Sequence, residues 1–215
     1  MKSNKNISAD AAFFGSESIG KILLKIAPPV MLAQLIQALY NIVDSFFVGK
    51  YSDDSLTALT VIYPLQLIII AVSVGTGVGV NTYMARKYAL GKDDEAKKTA
   101  GAGMFFEIVS WAIFAFVSFF IMRPYVMTSA TSEGAINDAV TYGNIVCIGS
   151  LGTFLEANWS KVHQSSGNMR LPMLAQVAGA VTNIILDPIM IFGLGPIPEM
   201  GVAGAAYATV CGQFV

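Results

Sequence analysis

Long uncharged stretches, separated by short charged or polar segments, set the pattern of this chain. A helix crossing about 30 Å of hydrocarbon needs roughly 20 mostly apolar residues. Five stretches meet that requirement. Ile26–Val48 carries one charged side chain, Asp44, and Ser55–Ala85 carries none. Thr99–Met122 carries only Glu107, Ala139–Ser160 only Glu156, and Leu171–Pro198 only Asp187. The fifth helix is expected to end near Phe192, before Gly193 and the Pro196-Ile197-Pro198 turn. A sixth stretch, Met200–Val215, is still apolar when the sequence ends after 16 residues, and reads as a helix truncated within its span.

Composition leads to the same class. Hydrophobic residues make up 54% of the 215 residues and charged ones 13%, about half the charged share of a soluble domain. The prediction is an all-α integral membrane protein: a tail over residues 1–20, then a six-helix transmembrane lobe over 21–215. Placing the amino terminus in the cytoplasm puts Lys2, Lys5, Lys21, Lys25, Arg86, Lys87, Lys92, Lys97, Lys98, Lys161 and Arg170 inside. Only Lys50 and Arg123 remain outside, an 11 to 2 division of the 13 basic residues that follows the positive-inside rule. The polar first twenty residues lack the apolar core of a cleaved signal peptide.

Net charge −1 offers no footprint for nucleic acid. Cys147, Cys211 and the single His163 lie in separate segments, so no thiolate or imidazole metal site can be read. Gly75, Gly77 and Gly79 suit close helix approach rather than a nucleotide loop. Pro28-Pro29 is expected to open the first helix, while Pro64 and Pro188 should bend theirs or free a backbone carbonyl.

Charged groups at membrane depth are costly and usually face protein or water. Glu156 lies five residues before Lys161 and reads as a carboxylate snorkelling at the inner interface. Glu107 either lines a cavity or makes a structural contact. Asp44 and Asp187 stand apart. At 1.5 Å per residue they lie about 27 and about 24 Å above the inner edge, nearly one level in the outer half. Gln37, Tyr40, Asn41 and Asp44 share a helical stripe that Gln34 extends inward, and Asn183 lies one turn below Asp187. On the descending sixth helix, Ala205 and Thr209 fall at about 24 and about 18 Å, beside Asp187 and Asn183. If those helices pack together, the converging oxygens suit a hard monovalent cation or protons.

These residues carry a family resemblance. Asn183-Ile184-Ile185-Leu186-Asp187-Pro188-Ile189-Met190-Ile191-Phe192-Gly193, followed by Gly201-Val202-Ala203-Gly204-Ala205-Ala206-Tyr207-Ala208-Thr209, resembles the fifth-to-sixth helix signature of the multidrug and toxic compound extrusion (MATE) family. Tyr40–Gly49 resembles its first helix, and Gly75–Ala96 its second helix and first inner loop. Val162–Asn168 departs from the family's usual arginine-containing turn ending in Gly-Asp.

The resemblance implies a two-lobe, twelve-helix antiporter of the cell membrane, of which this chain is the amino-terminal lobe. It implies export of drugs and other organic, often cationic compounds in exchange for Na⁺ or H⁺, without a cofactor. Asp44, Asn183, Asp187, Thr209 and the Ala205 carbonyl match the family's coupling-cation site, and Gln37 and Tyr40 match positions near substrate. The missing carboxy-terminal lobe, or a second copy, is the implied partner, and the chain alone is expected to insert but not to transport. A lipid-linked sugar flippase of the same superfamily and a non-transporting scaffold fragment are the alternatives. A membrane enzyme lacks its nucleophile or metal cluster.

Overall fold

A computed structural model describes residues 18–215, so Lys2 and Lys5 of the expected tail lie outside the described residues. Among the described residues seven helices follow in order: α1 Ile19–Tyr51, α2 Asp53–Ala89, α3 Asp93–Val126, α4 Glu133–Gly149, α5 Leu151–Ser165, α6 Arg170–Phe192 and α7 Val202–Gln213. No strand occurs among the described residues. Four helices, α1, α2, α3 and α6, are individually long and apolar enough to cross a membrane.

Local chemistry sets the boundaries. Ser52 opens α2 by accepting the Asp54 amide at 3.2 Å, with Asp53 and Asp54 in the first turn and Arg86 and Lys87 in the last. Those charges complement the helix dipole. Ser132 caps α4 through the Ala135 amide at 3.0 Å. The end of α6 falls at Phe192 as expected, because Gly193 takes φ +72° there and a Cβ would strike the Glu199 backbone. Gly201 starts α7 at φ +55°, pressed against the Tyr51 ring. Between them the turn folds back, with the Met200 and Gly201 amides donating to the Met190 and Ile191 carbonyls.

Two sequence expectations change. The first helix begins at Ile19 rather than Ile26, so Pro28 and Pro29 lie inside it instead of opening it. Proline brings no amide to the helix ladder at either position, a cost carried near the helix start. The stretch Ala139–Ser160 is not one helix either. It breaks at Ser150 into α4 and α5, which is why seven helices stand where six are expected. Gly149 and Gly152 flank the break, and Ser150 Oγ donates to the Cys147 carbonyl at 2.7 Å. Glycine entropy and a competing side-chain bond both weaken the helix there.

The helices form one bundle. α2 packs against α3, α4 and α5, while α1 lies along α6 and α6 along α7, which also meets α4. Val48, Ile62, Met122, Tyr142, Phe154 and Ile191 meet in the core. The outer face is the apolar one. Phe105, Phe106, Phe116, Phe119 and Phe120 on α3 are all exposed, an arrangement suited to a hydrocarbon solvent and not to water.

A carboxylate cluster between α1, α6 and α7

The packing of α1 on α6 and of α6 on α7 brings together the acidic and polar residues whose heights agree in the sequence. Asp44 and Asp187 are both buried, on α1 and α6, and lie within electrostatic range of one another. Asn183, one turn before Asp187, donates from Nδ2 to Asp187 Oδ1 at 3.2 Å and to Thr209 Oγ1 of α7 at 3.5 Å. Ala205 is fully buried one turn before Thr209. The close approach of α6 and α7 makes these contacts possible. A Cβ on Gly179 would lie 2.4 Å from the Gly212 carbonyl oxygen, and one on Gly212 would lie 2.7 Å from that of Gly179. Only two facing glycines permit such backbone contact.

Acceptors outnumber donors in this cluster. Asp44 Oδ1, Asp187 Oδ2 and Asn183 Oδ1 are buried without a hydrogen-bond partner among the described residues. Buried oxygens of this kind are costly unless a donor or cation meets them. With the Thr209 hydroxyl they make a set of hard oxygen donors, fitting a monovalent cation or a proton.

A cavity of about 220 Å³ opens beside Asp44, lined also by Tyr40, Asn41, Tyr63, Gln66, Tyr142 and Thr209. A larger one of about 810 Å³ adjoins it and is lined by Gln34, Gln37, Tyr40, Asn41 and Asn183. Tyr40 and Asn41 border both, with Gln37 Nε2 donating to the Tyr40 hydroxyl at 3.4 Å. The polar stripe of α1 thus runs along the cavities.

Two residues absent from the sequence expectation belong here. Gln66 of α2 donates to the hydroxyl of fully buried Tyr142 of α4 at 3.4 Å, and both line the smaller cavity. A neutral amide and a phenol in apolar stretches are the available signal, and it is faint. Glu156 also differs from expectation. It lines the large cavity, accepting from Ser160 Oγ at 2.5 Å and from Gln176 Nε2 at 3.2 Å, rather than snorkelling at the interface. Its partners on α5 and α6 turn it inward.

A family model described as MatE matches residues 29–189. The FAD transporter of Shewanella oneidensis is 29% identical over 91% of this chain and 43% of its own length. The probable multidrug resistance protein NorM of Thermotoga maritima is 31% identical over 92% of this chain and 42% of its own. A solved structure described as the outward-facing conformation of a multidrug resistance MATE family transporter of the MOP superfamily superposes with a TM-score of 0.86 at 25% identity. That superposition covers 99% of this chain and 45% of the other. The chain therefore spans less than half the length of these relatives.

Proposed function

Because the chain belongs to the MatE family, a family of multi-pass membrane transporters and not of enzymes, we propose that it serves as the cation-coupling lobe of an exporter of organic cations. In this reading Asp44, Asn183, Asp187, Thr209 and the Ala205 carbonyl hold the coupling ion, Na⁺ or H⁺. Gln34, Gln37, Tyr40 and Asn41 meet the organic substrate. The observation that carries the proposal is the pair of buried carboxylates with unpartnered oxygens beside a cavity large enough for a drug-sized molecule.

Exchange then needs no covalent step and no cofactor. Two carboxylates in one electrostatic neighbourhood hold a first added positive charge more strongly than a second, because the two cations repel. A coupling cation at Asp44 and Asp187 and an organic cation in the adjoining cavity are therefore antagonists. Their antagonism becomes antiport when the lobe moves against another bundle and exposes the site to alternate sides. That bundle is a second lobe or a second copy of this chain. The membrane is the cell membrane, with the amino terminus cytoplasmic, as the basic-residue asymmetry suggests.

The test replaces the matching segment of the Thermotoga maritima relative with this chain and follows efflux of a fluorescent organic cation from membrane vesicles. Export should require an imposed Na⁺ or proton gradient and stop when that gradient is collapsed. Export that proceeds equally well without either gradient would overturn the coupled reading.

A further inference from the structure

Glu107 sits on α3, fully buried, and neither of its carboxylate oxygens has a hydrogen-bond partner among the described residues. Asn158 of α5 is 2% exposed, and its Oδ1 is equally without one. Gly103 joins the two observations. A Cβ at Gly103 would lie 2.4 Å from Asn158 Oδ1 and 2.6 Å from a Val80 methyl, so the asparagine amide fills the space the glycine leaves. Glu107 is the next residue along that same face of α3, one turn on. Helical side chains lean back toward the amino terminus over the preceding turn. The Glu107 side chain therefore leans toward the turn at Gly103, where Asn158 Oδ1 lies.

Glu107 Oε1 and Oε2 and Asn158 Oδ1 are thus three buried acceptor oxygens on facing helices, each without a donor among the described residues. Lys161, one turn past Asn158, gives its Nζ to Gln164 Oε1 at 3.0 Å, and its stem packs over Gly77. Lys97 and Lys98 precede Glu107 by about 14 Å of helix. Neither Glu107 nor Asn158 lines either of those two cavities, and the packing of Asn158 and Val80 against Gly103 is close. A proton is the one positive ligand that takes no volume. It also converts a carboxylate, which only accepts, into a group with an O–H donor.

We propose that Glu107 carries a proton and donates it in a hydrogen bond to Asn158 Oδ1, forming a second proton-holding site in the inner half of the bundle. This site lies between α3 and α5, whereas the outer cluster lies on α1, α6 and α7. It ties α3 to α5, the inner piece of the broken fourth span. It does not rest on the coupling-site proposal and stands or falls separately from it.

Infrared difference spectroscopy of the purified chain in lipid at neutral pH reads this directly. The carbonyl stretch of a protonated carboxyl should be present in the wild type, persist in Asp44→Asn and Asp187→Asn, and be lost in Glu107→Gln. In Asn158→Ala the same band should move to higher frequency, because its hydrogen bond is gone; this second variant serves if Glu107→Gln does not fold. Identical spectra for wild type and Glu107→Gln would overturn the proposal, as would an unmoved band in Asn158→Ala. Loss of the band on adding Na⁺ would also overturn it, since the site would then hold a metal cation in place of the proton.

Discussion

Asn183 is the side chain through which the carboxylate cluster coheres, because one amide reaches both Asp187 and Thr209. Asn183→Ala removes a buried donor and leaves Asp187 with fewer partners. A stability loss of about 1–3 kcal/mol is expected, the cost of an unsatisfied buried polar group. Thermal unfolding in detergent checks it, and an unchanged midpoint would show that the amide is not holding the cluster. Asp44 and Asp187 are legible in the sequence because a charge inside an apolar span is conspicuous and its height follows from counting residues. Tyr142 and Gln66 are not legible, since neutral polar side chains in a span serve equally as packing between helices. Glu156 shows the remaining limit. Its distance from Lys161 gives a height, but not that Gln176 of another helix turns it toward the cavity.

Among the helices, the α6–α7 crossing at Gly179 and Gly212 sets the spacing of the cluster, four residues before Asn183 and three after Thr209. Gly179→Ala places a methyl against the Gly212 carbonyl and should cost about 1–3 kcal/mol by overpacking. It should also weaken cation binding, although residue 179 is not in the cluster. Cation affinity equal to that of the wild type would show that the crossing can spread without disturbing the site. The turn between α2 and α3 is fastened differently. Hydrogen bonds from Lys87 and then Lys92 hold the Glu95 carboxyl down at about 2, against an ordinary 4.5. A depressed carboxyl stabilises the fold above its ordinary value and loses that contribution only as pH falls toward the folded value. Spin-label mobility at exposed Leu90 should therefore stay low at pH values near 4 and rise only on stronger acidification, whereas Glu95→Gln should raise it at neutral pH. Mobility that already rises near the ordinary carboxyl value would contradict this. The exposed pair is also expected to weaken in high salt. Element boundaries were legible where glycine or a capping serine marks them, as at Gly193. The break at Ser150 was not, because hydropathy runs on unchanged through Gly149, Ser150 and Gly152.

For the molecule as a whole, the hydropathy pattern makes the membrane class legible, and the motifs make the family legible. Which helices touch was legible only as a condition, since equal heights on separate helices become a site only when α1, α6 and α7 pack together. The chain covers 43% of the Shewanella oneidensis relative and 42% of the Thermotoga maritima one, so export is a property proposed for the larger assembly. The proposed antagonism of ion and substrate, however, is assigned to this lobe and can be measured on it. Linkage requires that a coupling cation weaken substrate binding by the same factor by which substrate weakens the cation's. The direct measurement is the affinity of the purified chain for a fluorescent organic cation, titrated across Na⁺ concentration and across pH, in the wild type, Asp44→Asn and Asp187→Asn. The account predicts that Na⁺ or protons lower the wild-type affinity and that either substitution removes this dependence. Dye binding that ignores both cations in the wild type, or an antagonism of undiminished size in both variants, would contradict it.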